Sequence, residues 1–248
     1  MNWKRLLVPL AVALLPLSAW AGRPLAIDDA DPADPEIFEL EAGAAYAKEG
    51  SVKAWELPLG LTYGVAPSVE AGIAFGALSV EAGDEDESGI SDTVLGAKWQ
   101  FIQACPLGAR HALAPSVKLP TADEDKGLGS GQTDFDLTWI ISRAMSEKAG
   151  VHVNLGYAWI GGPDDDVLHY GVAADYQVTE AVQAVGEIFA ERETSSGADT
   201  VGQFNLGLRY GATDALVLDL AAGSRIGDDG PDFTTTAGLT WAFGSKEK

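Results

Sequence analysis

Val151-His152-Val153-Asn154-Leu155-Gly156-Tyr157-Ala158-Trp159 is the stretch that decides the fold. Large apolar side chains take every odd position and small or polar ones every even position, the period of a strand with one greasy and one wet face. The same alternation runs through Leu95-Gly96-Ala97-Lys98-Trp99-Gln100-Phe101, Leu168-His169-Tyr170-Gly171-Val172, Phe204-Asn205-Leu206-Gly207-Leu208-Arg209-Tyr210 and Ala237-Gly238-Leu239-Thr240-Trp241-Ala242-Phe243. Twelve such segments can be marked, near 36–48, 51–64, 67–81, 90–104, 111–120, 132–144, 150–160, 167–177, 181–192, 200–211, 215–225 and 233–243. Most reach the length of about 9–11 residues that a tilted strand needs to cross a bilayer. No helical segment is evident after residue 21.

The connections alternate as well. Short turns sit at Val65-Ala66-Pro67-Ser68, Val178-Thr179-Glu180-Ala181 and Ala212-Thr213-Asp214-Ala215, each two positions after a Tyr (Tyr63, Tyr176, Tyr210) and ahead of a Val or Leu. This is the weak internal repeat that a chain of similar hairpins leaves. Long acidic loops lie between them, at 83–91, 120–132, 161–167, 192–199 and 227–232. Strand parity then predicts an all-β fold: a closed antiparallel transmembrane β-barrel of about 12 strands. Its termini and short turns face the periplasm, its long loops face outside, and the three tyrosines belong to the inner aromatic girdle. An even strand count leaves no free edge, as lipid requires. A soluble periplasmic sandwich or barrel would alternate too, but the small or polar face of Gly156, Gly207, Gly238, Asn154 and Thr240 suits a narrow lumen better than a broad solvent surface.

Composition agrees. The 248 residues carry 37 acidic against 16 basic side chains, a formal net charge of −21. Such a chain repels nucleic-acid phosphate and anionic lipid headgroups, which excludes nucleic acid as a partner and a basic membrane-adhesion patch. With 46% hydrophobic and only 21% charged residues it is not an acidic disordered chain. The single Cys105 cannot close an intrachain disulfide or supply a structural zinc site. No cofactor is expected.

The N-terminus reads as an export signal. Lys4 and Arg5 precede the apolar residues 6–17, and Ala19-Trp20-Ala21 offers small residues where a signal peptidase cuts. The run is too short to span a bilayer as a helix. The expected organisation is a signal peptide at 1–21, a periplasmic N-terminal segment at 22–35, the barrel at 36–243 and a tail at 244–248. The expected partners are outer-membrane lipid and lipopolysaccharide, the barrel-assembly machinery and small-molecule solutes.

Some stretches are more distinctive. Arg23-Pro24-Leu25-Ala26-Ile27-Asp28-Asp29-Ala30 with Phe38-Glu39-Leu40-Glu41, and Val117-Lys118-Leu119-Pro120-Thr121-Ala122-Asp123 with Lys126-Gly127-Leu128-Gly129-Ser130-Gly131-Gln132-Thr133-Asp134, resemble a Gram-negative family of transporters labelled MetA-pathway of phenol degradation proteins. The resemblance covers about 23–243. It implies an outer-membrane barrel that passes small solutes, aromatic or other hydrophobic compounds among them. Ala122 stands where the family usually has Gly, and residues 244–248 extend past the terminal aromatic Phe243.

If the large apolar residues face lipid, the lumen receives Glu39, Glu41, Glu56, Glu70, Asp92, Lys98, Lys118, Asp134, Asp136, His152, Asp175, Glu187, Arg209 and Asp219. A carboxylate excess of this kind either selects cations in an open pore or holds each basic residue in a network that closes the lumen. In the second case the protein is a structural or adhesive barrel with functional outer loops. The loop at 127–131 lacks the Gly-Lys-Ser/Thr ending of a P-loop, and Leu128 stands where an EF-hand needs Gly. It reads as a flexible hairpin able to fold inward over the lumen. The runs Asp84-Glu85-Asp86-Glu87 and Asp164-Asp165-Asp166 read as solvated, with divalent cations shared with lipopolysaccharide as the alternative. An Asp/His hydrolase built on Asp134 and Asp136 would have only His169 within reach, and no motif marks a nucleophile, so the protein is read as no enzyme.

Overall fold

The computed structural model describes residues 22–244. The signal peptide expected at 1–21 and residues 245–248 of the tail lie outside them. The chain forms thirteen strands: β1 Ile37–Glu49, β2 Val52–Ala66, β3 Val69–Ala82, β4 Glu85–Ile90, β5 Thr93–Ile102, β6 Ala109–Leu119 and β7 Asp134–Ala144. The others are β8 Ala149–Trp159, β9 Val167–Gln177, β10 Val182–Glu193, β11 Thr200–Thr213, β12 Leu216–Ile226 and β13 Phe233–Gly244. Each stave pairs antiparallel with its chain neighbour, and β1 pairs with β13 from Ile37↔Gly244 to Lys48↔Phe233, which closes the sheet.

Twelve strands make the closed wall, as the period-two reading predicts, with the expected bounds met to within a few residues. The thirteenth, β4, is a correction. Residues 83–91 were expected as loop, but Glu85–Ile90 pairs with the far half of β3 from Ala77↔Ile90 to Ala82↔Glu85. β5 therefore meets only Val69 to Ala74 of β3. This flap extends β3 past the end of β5, with Glu85, Glu87 and Gly89 toward the cavity and the roof and Asp86 and Ser88 exposed. Both faces are polar, so no apolar alternation marks it, and its acidic composition conceals the strand.

The outward face of the wall is apolar all round, with Leu57, Trp139, Ile188, Leu206 and Trp241 among its exposed residues. A soluble monomer tolerates contiguous apolar patches of only a few hundred Å², roughly; a belt on every stave is a lipid-facing surface. Aromatic rings cluster at the end that carries the termini (Phe38 with Tyr63, centroids 4.5 Å apart, and Trp241 with Phe243, 4.8 Å) and again at the long-loop end (Tyr46 with Trp55, 4.7 Å). Tyr176 and Tyr210 project outward at the terminal end, in line with the girdle reading.

Inside, the alternation is broken at a few places. Leu78 and Val80 of β3, Ile140 of β7, and Val185 and Phe189 of β10 point into the lumen and are buried. Each seats a segment that enters the barrel from one of its ends, and these two segments define the site.

Candidate functional site

The first is the N-terminal segment. Instead of standing in front of the barrel, residues 22–36 run through its lumen as a strap without regular secondary structure. The strap turns in at the terminal end over Gly64, where Pro35 bridges Gly64 and the Glu36 N–H donates to the Gly64 carbonyl at 2.8 Å. A side chain on residue 64 would overlap the Asp34 carbonyl, so the turn depends on glycine there. From that point the strap is held by side chains of the wall. The N–H of Ala33 donates to Glu70 (2.5 Å), that of Ala30 to Ser142 (2.8 Å), that of Asp28 to Asn154 (3.1 Å) and that of Ile27 to Glu187 (2.7 Å). A strap with no ladder of its own must find such partners, because an unpaired buried backbone group is costly. Leu25 and Ile27 pack on Val185, Phe189 and Ala173, and Ala30 packs on Ile140 and Ala112.

Two ion clusters fix the strap at separate points. Arg23 lies in a notch made by Gly43 and Gly238, which are register partners on β1 and β13; a Cβ on either would fall on its guanidinium. From the notch it makes a fork to Asp219, with both nitrogens 3.1 Å from the carboxylate, and reaches Thr236 at 3.0 Å. Arg209 donates to the carbonyls of Gly22 and Arg23, each at 2.6 Å. On the other side, the buried Lys98 Nζ lies 2.9 Å from Asp28 and 3.4 Å from Glu70.

Burial pushes the Asp28 carboxyl up to about 7 from its ordinary 3.8, against the pull of Lys98. Docking the strap therefore takes up a proton between those values, so docking is firmest on the acid side and weakens as pH rises through about 7. The expected result is a reconstituted barrel whose conductance is higher at about pH 8 than at about pH 5. The Asp28→Asn variant, which cannot ionise, should lose that part of the dependence.

The second segment is the β6–β7 loop, which folds inward as the sequence suggested. Asp123 caps the short 3₁₀ turn Glu124–Lys126 by accepting from the N–H groups of Asp125 and Lys126. The next turn drives Leu128, 0% exposed, into a pocket of Ala47, Ala54, Leu78 and Val80 on β1 to β3. Asp92 accepts from the Ala122 N–H at 2.9 Å, Lys118 donates to Ser130 at 2.7 Å, and Lys126 reaches the Ser88 carbonyl on β4 at 3.2 Å. The loop is thus a roof latched by one leucine. Replacing Leu128 with Asp removes the latch, and trypsin added on the loop side should then cut at Lys126 in the variant well before it cuts the unaltered protein.

Between roof and strap lies a cavity of about 1340 Å³. The structure places the sequence-selected residues as follows. Glu70, Lys98, Glu187, Arg209 and Asp219 hold the strap, and Glu41 lies 3.5 Å from the Arg23 N–H. Lys118 is shared by Asp134 at 2.5 Å and Asp92 at 3.4 Å, beneath the roof. Asp136 meets His169 at 2.6 Å. Asp175 meets His152 at 2.8 Å, and the other ring nitrogen of His152 meets Ser142 at 2.8 Å. Glu39 is on the inward face at the terminal end, in the field of Glu70 and Lys98. Glu56 faces the cavity without a hydrogen-bond or ion-pair partner among the described residues.

Sequence reasoning missed the strap residues Arg23, Leu25, Ile27, Asp28 and Ala30, the latch Leu128, and Glu191, Asn154, Ser142 and Gln100 on the wall. Gln100 bonds the Ala30 carbonyl at 3.0 Å. One signal was available: Leu78, Val80, Ile140, Val185 and Phe189 violate the alternation of their own strands. A large apolar residue on a wet face needs something apolar to cover it.

An antiparallel wall closed on itself, apolar outside and polar within, defines a transmembrane β-barrel. The chain belongs to the family described as "Putative MetA-pathway of phenol degradation", which it matches over residues 21–243. Among solved structures it is similar to the COG4313 outer membrane channel from Pseudomonas putida F1, with a TM-score of 0.64 at 16% identity over 87% of this chain and 98% of that one. It is also similar to the NanC porin (0.62, 10% identity, 82% and 98%) and to the CymD monoaromatic hydrocarbon channel (0.51, 12% identity, 86% and 90%). At these identities the likeness is one of fold. No curated protein matches the chain.

Proposed function

We propose that the protein is an outer-membrane channel for small solutes, aromatic or other hydrophobic compounds among them. In this reading the termini face the periplasm, the long loops face outside, and outer-membrane lipid and lipopolysaccharide surround the belt. The observation that carries it is the cavity of about 1340 Å³ between roof and strap, lined by polar and apolar groups and large enough to hold a small solute. Family membership and the channel folds it resembles support the same reading. Transport and not catalysis is the proposed role: the one hydroxyl bonded to the Asp136–His169 pair among the described residues, that of Thr138, donates to Asp136 at 2.8 Å and not to the imidazole, and Asp134 is committed to Lys118 and to the Gly161 N–H at 2.9 Å. A barrel with a closed lumen is the second reading, favoured by the filling of both ends.

Recording in a planar bilayer under a salt gradient separates them. The channel reading expects discrete steps with cation preference, since carboxylates outnumber basic groups along the lumen. Silence from protein shown to be folded and inserted would favour the closed barrel.

A further inference from the structure

We infer that the cavity between roof and strap is a binding site for a small organic cation with an apolar body, such as an aromatic or alkyl amine. The inference rests on the channel reading and names the solute class the same lumen would hold.

The basic groups of the strap and wall are already engaged, and Lys126 on the roof bonds the Ser88 carbonyl. Lys98 is taken by Asp28 and Glu70, Lys118 by Asp92 and Asp134, Arg23 by Asp219, and Arg209 by the strap carbonyls and Gln183. What is left over is negative. Glu56 on β2 and Glu191 on β10 both line the cavity, and neither has a hydrogen-bond or ion-pair partner among the described residues. They stand five staves apart round a twelve-stave wall, nearly opposite one another. Glu191 is half-buried beside His169, its register partner on β9, and lines the cavity.

His169 lies near Glu191 and Arg23 near Glu56, but each is bonded to another carboxylate (Asp136 and Asp219), so a cation that enters would give these two half-buried carboxylates the direct partner they lack. The surroundings choose the kind of cation. No group of three metal-ligating side chains is present among the described residues, and the cavity wall also carries the half-buried Pro58, Val94, Ala114, Ala158 and Val167. An ammonium group on one carboxylate with its hydrocarbon body against that wall satisfies both surfaces, as ligand pockets usually combine a few polar anchors with apolar lining. Glu85, Glu87, Asp164 and Asp165 carry the negative charge on to the mouth of the cavity and would concentrate cations there.

The test uses three probes of one shape, benzylammonium, benzyl alcohol and benzoate, added to the full mature chain reconstituted in a bilayer. The expected result is that benzylammonium reduces the KCl current at a concentration at least about tenfold lower than the other two. Glu191→Gln should weaken that block by about tenfold, and Glu56→Gln should weaken it further in the double variant. Equal block by all three probes, stronger block by benzoate, or block unchanged in the double variant would overturn the inference. If the protein passes no KCl current, the channel reading fails, and titration calorimetry of the same probes in detergent still decides whether the cavity holds the cation.

Discussion

Deletion of residues 24–32 raises the unit conductance of the reconstituted barrel roughly fivefold or more, because a twelve-stranded lumen is wider than its own side chains fill and the strap supplies the remainder. The strap leans on β3, on β5 to β8 and on β10 to β13 through side chains, while the wall's own ladders remain complete without it. The deleted protein should therefore still fold, which the slower gel migration of boiled barrel protein would verify. Open-channel current noise should fall as well, since no partly tethered segment remains in the pore. A folded deletion variant with unaltered conductance would mean that the strap does not obstruct the conducting path.

Lys98→Met is the point substitution with the largest expected effect. It leaves Asp28 and Glu70 facing each other, both buried, with the charge that held them removed. Removing one partner of a buried ion cluster costs about 3–5 kcal/mol. That cost falls on strap docking first, since the strap can leave and the wall cannot. The variant should therefore conduct like the deletion protein and expose residues 22–34 to added protease. The further changes Asp28→Asn and Glu70→Gln should restore most of the docking. If Lys98→Met alone left protease resistance and conductance untouched, the cluster would not be what fixes the strap.

These effects concern the part of the molecule that the sequence conceals. The wall is legible because lipid on one side and water or polar groups on the other impose a period of two on every stave, as Val151 to Trp159 show within nine residues. The inward direction of the charged residues follows from the same period, so Lys98, Arg209 and Asp219 could be placed on the wet face without knowing their partners. The partners are a different matter. Ala26 is bonded to a residue 161 positions away and Arg23 to one 196 positions away, and nothing local in Arg23-Pro24-Leu25-Ala26-Ile27-Asp28 states that the segment belongs inside. β4 stayed hidden for a related reason: its inner positions Glu85 and Glu87 are as polar as its outer ones Asp86 and Ser88, so its sequence carries no apolar alternation to read. The β6–β7 loop was partly legible, since its glycines pointed to an inward-folding hairpin, although the seat of Leu128 depends on Leu78 and Val80 about fifty residues earlier.

A reversible lock on the strap tests this account most directly. Cysteines at Ala30 and Ser142, whose N–H and hydroxyl are 2.8 Å apart, would be introduced with Cys105 replaced by Ser to remove the competing thiol. Conductance of the inserted protein would then be read before and after reduction. The account predicts that the disulfide forms on oxidation, that the locked barrel conducts little at any pH, and that reduction restores the pH-dependent opening. Failure of the disulfide to form in folded protein, or a current indifferent to its reduction, would contradict a channel governed by a strap in its lumen.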